Sequence, residues 1–133
     1  SSNISHVFEA VLDVVGGPLL QLVGEDAKIL EYAAMVTFPG AGEQLPHADL
    51  SMQSIEDARV WQPQFTVQVA LDDVDGLAGP LEVWPGTHTH FNLADKRIQA
   101  VGLFVPGVQV IAPAGSIAIY DARLQHRGNA NIS

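Results

Sequence analysis

A chain of 133 residues that is 47% apolar and 16% charged can bury one core, and its composition excludes intrinsic disorder. Six basic residues against fifteen acidic ones leave a formal charge of −9, which repels nucleic acid and anionic lipid, so neither is expected as a partner. The lack of cysteine excludes disulfides, thiolate metal sites and cysteine nucleophiles and favours a cytoplasmic setting; no signal peptide and no apolar run of about eighteen residues is read.

In residues 5–15, Val7, Phe8, Val11, Leu12, Val14 and Val15 fall at helical spacing on one face. Gly16-Gly17 is expected to stop this helix, and Pro18 to open a second short one running to about Val23. Residues 24–28 read as a polar turn. Residues 32–38 read as a strand, ended by Pro39-Gly40-Ala41-Gly42. A polar segment follows at 51–64. Residues 66–71 then alternate Thr66, Gln68 and Ala70 with Val67, Val69 and Leu71, a strand with one apolar and one part-polar face. Residues 81–84 form a short strand closed by Pro85-Gly86, and a short helix is expected at 93–100. Residues 109–112 and 116–121 are two further strands around the Pro113-Ala114-Gly115 turn. Helices at the front, then at least five short strands without βαβ alternation, predict a mostly β domain. An antiparallel sandwich or barrel of the jelly-roll kind over the whole chain fits best.

The residues with chemistry to offer are few. His47 and Asp49 lie two apart, so in an extended segment both leave one face, as two ligands of a metal would. A third ligand has to come from elsewhere. His6 sits on the first helix and reads as a surface residue. His88 and His90 share a face if their segment is a strand, but the nearest carboxylate, Asp95, is not at matching spacing. Counting back by twos from His126 gives Leu124, Ala122 and Tyr120, an interior face, while Arg123 and Asp121 share the opposite face and can pair. On spacing alone His126 is either a metal ligand or a satisfied strand-end histidine.

Three blocks decide between these. FPGAGEQLPHADL, ALDDVDGLAGPLEVWPGTH and GSIAIYDARLQHRGNANIS, in this order, resemble the phytanoyl-CoA dioxygenase-like family of iron(II)- and 2-oxoglutarate-dependent oxygenases. The resemblance implies a double-stranded β-helix, or cupin-like jelly roll. It implies that His47, Asp49 and His126 are the iron ligands. Two imidazoles and one carboxylate form a facial triad that leaves three positions open, two for a 2-oxo acid and one for O₂. It further implies oxidative decarboxylation of 2-oxoglutarate coupled to hydroxylation of a small-molecule substrate. Gln68 and Met35 match positions of the cosubstrate pocket, and Thr66 shares the polar strand face with Gln68. Among other residues of the blocks, Trp84 reads as core and Asn131 as turn-forming. The family grips the far carboxylate of 2-oxoglutarate with an arginine, whose fork fits a carboxylate bidentately. Strand alternation points Arg123 and Arg127 away from His126, so that arginine is expected beyond Ser133, in a chain incomplete at its C-terminus and possibly its N-terminus. The alternative is a metal-binding jelly roll without oxygenase turnover, in a binding or sensing role. Oligomeric state and substrate identity carry no signature.

Overall fold

The computed structural model describes residues 3–50, 63–89 and 106–133. The helix expected at 93–100 and most of the polar segment at 51–64 lie outside them. The chain divides into two compact units, Ser1–Ala34 and Met35–Ser133.

The first unit is built on one helix, α1 (Asn3–Val23), where two were expected. Gly16-Gly17 does not break it, and Pro18 lies inside it. A proline normally pushes the preceding residue out of helical geometry by a clash with its Cβ, and Gly17 has none. The helix stops instead at Gly24, whose φ of 85° is the left-handed cap geometry and whose N–H donates to the Leu20 carbonyl at 2.9 Å. Val15 is buried, and Phe8 meets Tyr32 edge-to-face at 5.0 Å. The helix also corrects the reading that no apolar run reaches about eighteen residues. His6–Val23 is eighteen residues long with mean hydropathy 1.4, enough by length and composition to cross a bilayer. A core helix or a leader passes the same test, so this measure assigns no membrane.

In the second unit, antiparallel strands form two sheets. β1 (Phe65–Val69) pairs with β4 (Ile117–Asp121), and β3 (Val108–Val110), β2 (Leu81–Val83) and β5 (His126–Gly128) form the other in the order β3-β2-β5. The alternation read at 66–71 is kept in register. Thr66 opposes Tyr120 and Gln68 opposes Ala118 on one face, while Val67 opposes Ile119 and Val69 opposes Ile117 on the other. The segment before β1 extends the second sheet. Gln44 and His47 donate backbone N–H groups to Gly128 and His126, and His126 donates back to His47 at 2.8 Å. Trp84, Ala122 and Leu124 are buried, and Pro80 is fully enclosed, so Trp84 is core as expected.

Residues 32–38 form no strand. Tyr32, Met35, Val36 and Phe38 are exposed, and the Thr37 carbonyl accepts from the Asn131 side chain instead of a neighbouring strand. Asn131 is buried and also exchanges backbone bonds with Gly40 and Ala41, which fixes the loop leading to His47.

The link between the sheets is the corner after β4. Here the strand expected at 116–121 is present as β4, but the alternation counted back from His126 does not continue through it, because the chain turns at 122–124. Asp121 causes the turn: its carboxylate accepts from the Arg123 backbone N–H at 2.9 Å and from the guanidinium at 2.9 and 2.7 Å. The expected Asp121–Arg123 pairing is thus present, but folded around a turn. Burial pushes the Asp121 carboxyl up, yet the hydrogen bonds and charge of Arg123, with a smaller contribution from His88, outweigh it and hold the group below its ordinary 3.8. A depressed carboxyl stabilises the fold above its unfolded value, and that stability is lost as pH falls through the lower folded value. Asp121→Asn is expected to cost about 1–2 kcal/mol at neutral pH. The gap to wild type should narrow on acidification below 3.8, read by urea unfolding at a series of pH values; a widening gap contradicts this account.

Candidate metal centre

The corner brings three distant side chains together. His47 is carried by the segment bridged to β5, Asp49 follows it by two, and His126 opens β5. One ligand atom from each lies within 4.8 Å of the others, the one such group among the described residues. Three atoms so spaced share a point within about 3 Å of each, so closure onto bonds of roughly 2.0–2.2 Å takes small rotations only. His126 Nε2 and Asp49 Oδ1 are 3.4 Å apart, and the two imidazole centroids 4.5 Å.

Each ring is oriented by its own backbone. His47 Nδ1 lies 2.9 Å from the Leu45 carbonyl, and His126 Nδ1 lies 2.9 Å from the Leu124 carbonyl. A carbonyl only accepts, so Nδ1 carries the proton in both rings and Nε2 presents its lone pair. That is the tautomer a metal-ligating histidine needs, fixed by an outer hydrogen bond. Asp49 is fixed too: Thr66 Oγ1 donates to its Oδ2 at 2.7 Å. His126 is 4% exposed while the Asp49 side chain is 39% exposed and His47 is not buried, so the site is closed at His126 and open at Asp49. Two imidazole nitrogens and one carboxylate oxygen are a donor set that suits iron(II).

The polar face of β1 reaches this site through Thr66. Gln68 Nε2 donates to the Tyr120 hydroxyl at 3.1 Å. Tyr120 is buried, and its ring stands 5.1 Å from His126. Burial first, and then the charge of Asp49, push its hydroxyl up to about 12, partly offset by the Thr66 hydroxyl; at neutral pH it holds its proton. Tyr120 was missed in the sequence because it was counted with the apolar set. The alternation that put it on the His126 face was the available signal. Met35 is 76% exposed, and no described contact joins it to the three ligands. His88 lies in a 3₁₀ turn, Thr87–Thr89, and not on a strand; His90, with which it was to share a face, lies outside the described residues. His6 is exposed, as expected.

Both described arginines are engaged elsewhere. Arg123 is held by Asp121, and Arg127 by Glu82 at 2.7 Å and Glu43 at 3.1 Å. Glu82 also accepts from the Gly107 N–H at 3.0 Å. A Cβ on Gly107 would stand 2.5 Å from Glu82 Cγ, so only glycine leaves room for that carboxylate.

Comparison with solved structures gives the same fold. EvdMO1 matches at 24% identity and a TM-score of 0.57, over 73% of this chain and 22% of its own. AviO1 from Streptomyces viridochromogenes Tue57 matches at 26% identity and 0.57, over 73% and 41%. SnoK, a non-heme alpha ketoglutarate dependent carbocyclase from nogalamycin biosynthesis, matches at 23% and 0.56, over 73% and 41%. The chain therefore spans well under half the length of these proteins. The sequence pattern of phytanoyl-CoA dioxygenase (PhyH) matches residues 3–133, and with nearly the whole chain covered, the chain belongs to the phytanoyl-CoA dioxygenase family.

Proposed function

We propose that this chain forms the metal-holding core of a non-haem iron(II)- and 2-oxoglutarate-dependent oxygenase, with a double-stranded β-helix framework, that hydroxylates a small organic substrate. Enzymes of the family use iron(II), 2-oxoglutarate and O₂. The observation that carries the reading is the convergence of His47, Asp49 and His126 with both Nε2 lone pairs freed by carbonyl-bound Nδ1 atoms. When bound, iron would supply the site where O₂ is reduced while 2-oxoglutarate loses CO₂ and becomes succinate. The chain's own part would be to hold the metal through His47, Asp49 and His126 and leave its remaining positions to the cosubstrate and O₂. Its polar face at Gln68 and Thr66 borders the site and supports a place for the cosubstrate nearby. The carbocyclase chemistry named for SnoK belongs to that protein; hydroxylation is the outcome proposed here.

Anaerobic iron(II) with 2-oxoglutarate is expected to give a weak visible charge-transfer band in the intact protein, and admitted O₂ to release succinate slowly even without substrate. Iron binding with neither band nor succinate would overturn the oxygenase reading and leave a metal-binding jelly roll.

A further inference from the structure

Asp49 is the most exposed of the three ligands, and its two oxygens have different surroundings. Oδ1 stands 3.4 Å from His126 Nε2. With the His126 proton on Nδ1, two lone pairs face each other there, an arrangement that a cation between them relieves. Oδ2 is turned to Thr66, whose hydroxyl donates to it at 2.7 Å, close to the short distance of a charge-assisted bond. Tyr120, opposite Thr66 on β4, is neutral at pH 7, so the Asp49 carboxylate is the stronger acceptor for the Thr66 proton. The backbone is pinned on both sides of Asp49: His47 exchanges bonds with His126, and Leu50 donates to the Ala122 carbonyl at 2.8 Å. What remains is rotation of the carboxylate about its own side-chain bonds, and Thr66 removes that freedom. Thr66 is β-branched and held in the β1–β4 ladder, so its hydroxyl is presented from a fixed frame.

We propose that Thr66 is a positioning residue of the metal site: its hydroxyl holds Asp49 Oδ2 and leaves Oδ1 alone to the metal. This rests on the iron-site reading above. A carboxylate can bind a metal through one oxygen or chelate it through both. Chelation by Asp49 would take a position that the 2-oxo acid or O₂ requires. Thr66 has one proton and gives it to Asp49, so it is not a donor to the cosubstrate, although it shares the polar strand face with Gln68.

The test uses Co(II) on the full chain and reads the carboxylate by infrared difference spectra between metal-free and metal-loaded protein. Coordination through one oxygen sets the two carboxylate C–O stretches far apart, and chelation brings them together. Wild type is expected to show the wide separation, and Thr66→Val and Thr66→Ala the narrow one. Loosening of the fold alone does not produce that change. Titration of Co(II) is expected to show binding weakened by about 10-fold in both variants, the lower end of the range for partners of metal ligands, because chelation by the freed carboxylate recovers part of the loss. Thr66→Ser keeps the O–H, and is expected to keep the wide separation and an affinity within about threefold of wild type. A narrow separation in wild type, a wide one or wild-type affinity in Thr66→Val and Thr66→Ala, or Thr66→Ser behaving as Thr66→Val would each overturn the proposal while leaving the iron site standing. The wild-type spectrum decides even where a variant fails to fold. Wild-type protein that binds no Co(II) would overturn the iron-site reading and this proposal with it.

Discussion

His126→Ala is expected to abolish tight metal binding. The ring is 4% exposed, packed between His47 and Tyr120 at centroid distances of 4.5 and 5.1 Å, and locked by the Leu124 carbonyl. Loss of an outer hydrogen bond already costs a metal site about 10–100-fold, so loss of a ligand nitrogen costs at least the upper end of that range. The readout is twofold. A titration with iron(II) or Co(II) gives the affinity directly. Thermal unfolding gives it independently, because saturation at a hundred times Kd adds about 2.7 kcal/mol of stability to a protein that binds only when folded. Wild type is expected to show the metal-dependent rise and His126→Ala none. His88→Ala serves as the control that keeps it, since His88 sits in the 3₁₀ turn away from the strand geometry a second site would need. Stoichiometric tight iron retained by His126→Ala would sink the assignment of the triad.

How much of this was legible in the sequence follows from which forces are local. The alternation of Thr66 and Gln68 with Val67 and Val69 is a local pattern, and it gave β1 and its two faces correctly. Pro85-Gly86 marked the end of β2 for the same reason. Residues 32–38 failed because an apolar run states only that burial is favourable, not that a neighbour is there to supply ladder bonds. The helix ran through Gly16-Gly17-Pro18 because the glycine before the proline removes the clash that normally breaks it. His126 and Tyr120 were placed on one face by counting along a strand, which would set them about 20 Å apart; in the structure their rings are 5.1 Å apart. The route is different: Asp121 folds the chain back, and the two residues meet across a corner between two sheets. The triad itself joins His47 to His126, and only the family resemblance, not spacing, could select that pairing.

The largest stability effect is expected from Arg127, the residue after the distal histidine. Its guanidinium donates to Glu82 at 2.7 Å, reaches Glu43 at 3.1 Å and lies 5.7 Å above the Trp84 ring. The side chains of Arg127 and Glu82 are 18% and 10% exposed, whereas Glu43 is 58% exposed and adds little through a screened contact. Arg127→Met would fill the space over Trp84 but leave Glu82 with the Gly107 N–H as its described partner. An uncompensated buried carboxylate costs about 3 kcal/mol when its partner is removed. Glu82→Gln in the same chain takes away the orphaned charge, so the double variant is expected to be more stable than Arg127→Met alone. Arg127→Lys should not restore wild type, because an ammonium cannot hold Glu82 and lie flat over Trp84 together. Glu82 opposes Arg127, and Val83 opposes His126, in the same ladder, so loosening this pair loosens the strand that carries the ligand. Urea unfolding of the metal-free variants at neutral pH measures the effect. A loss below about 1 kcal/mol for Arg127→Met would mean that water reaches the pair and screens it.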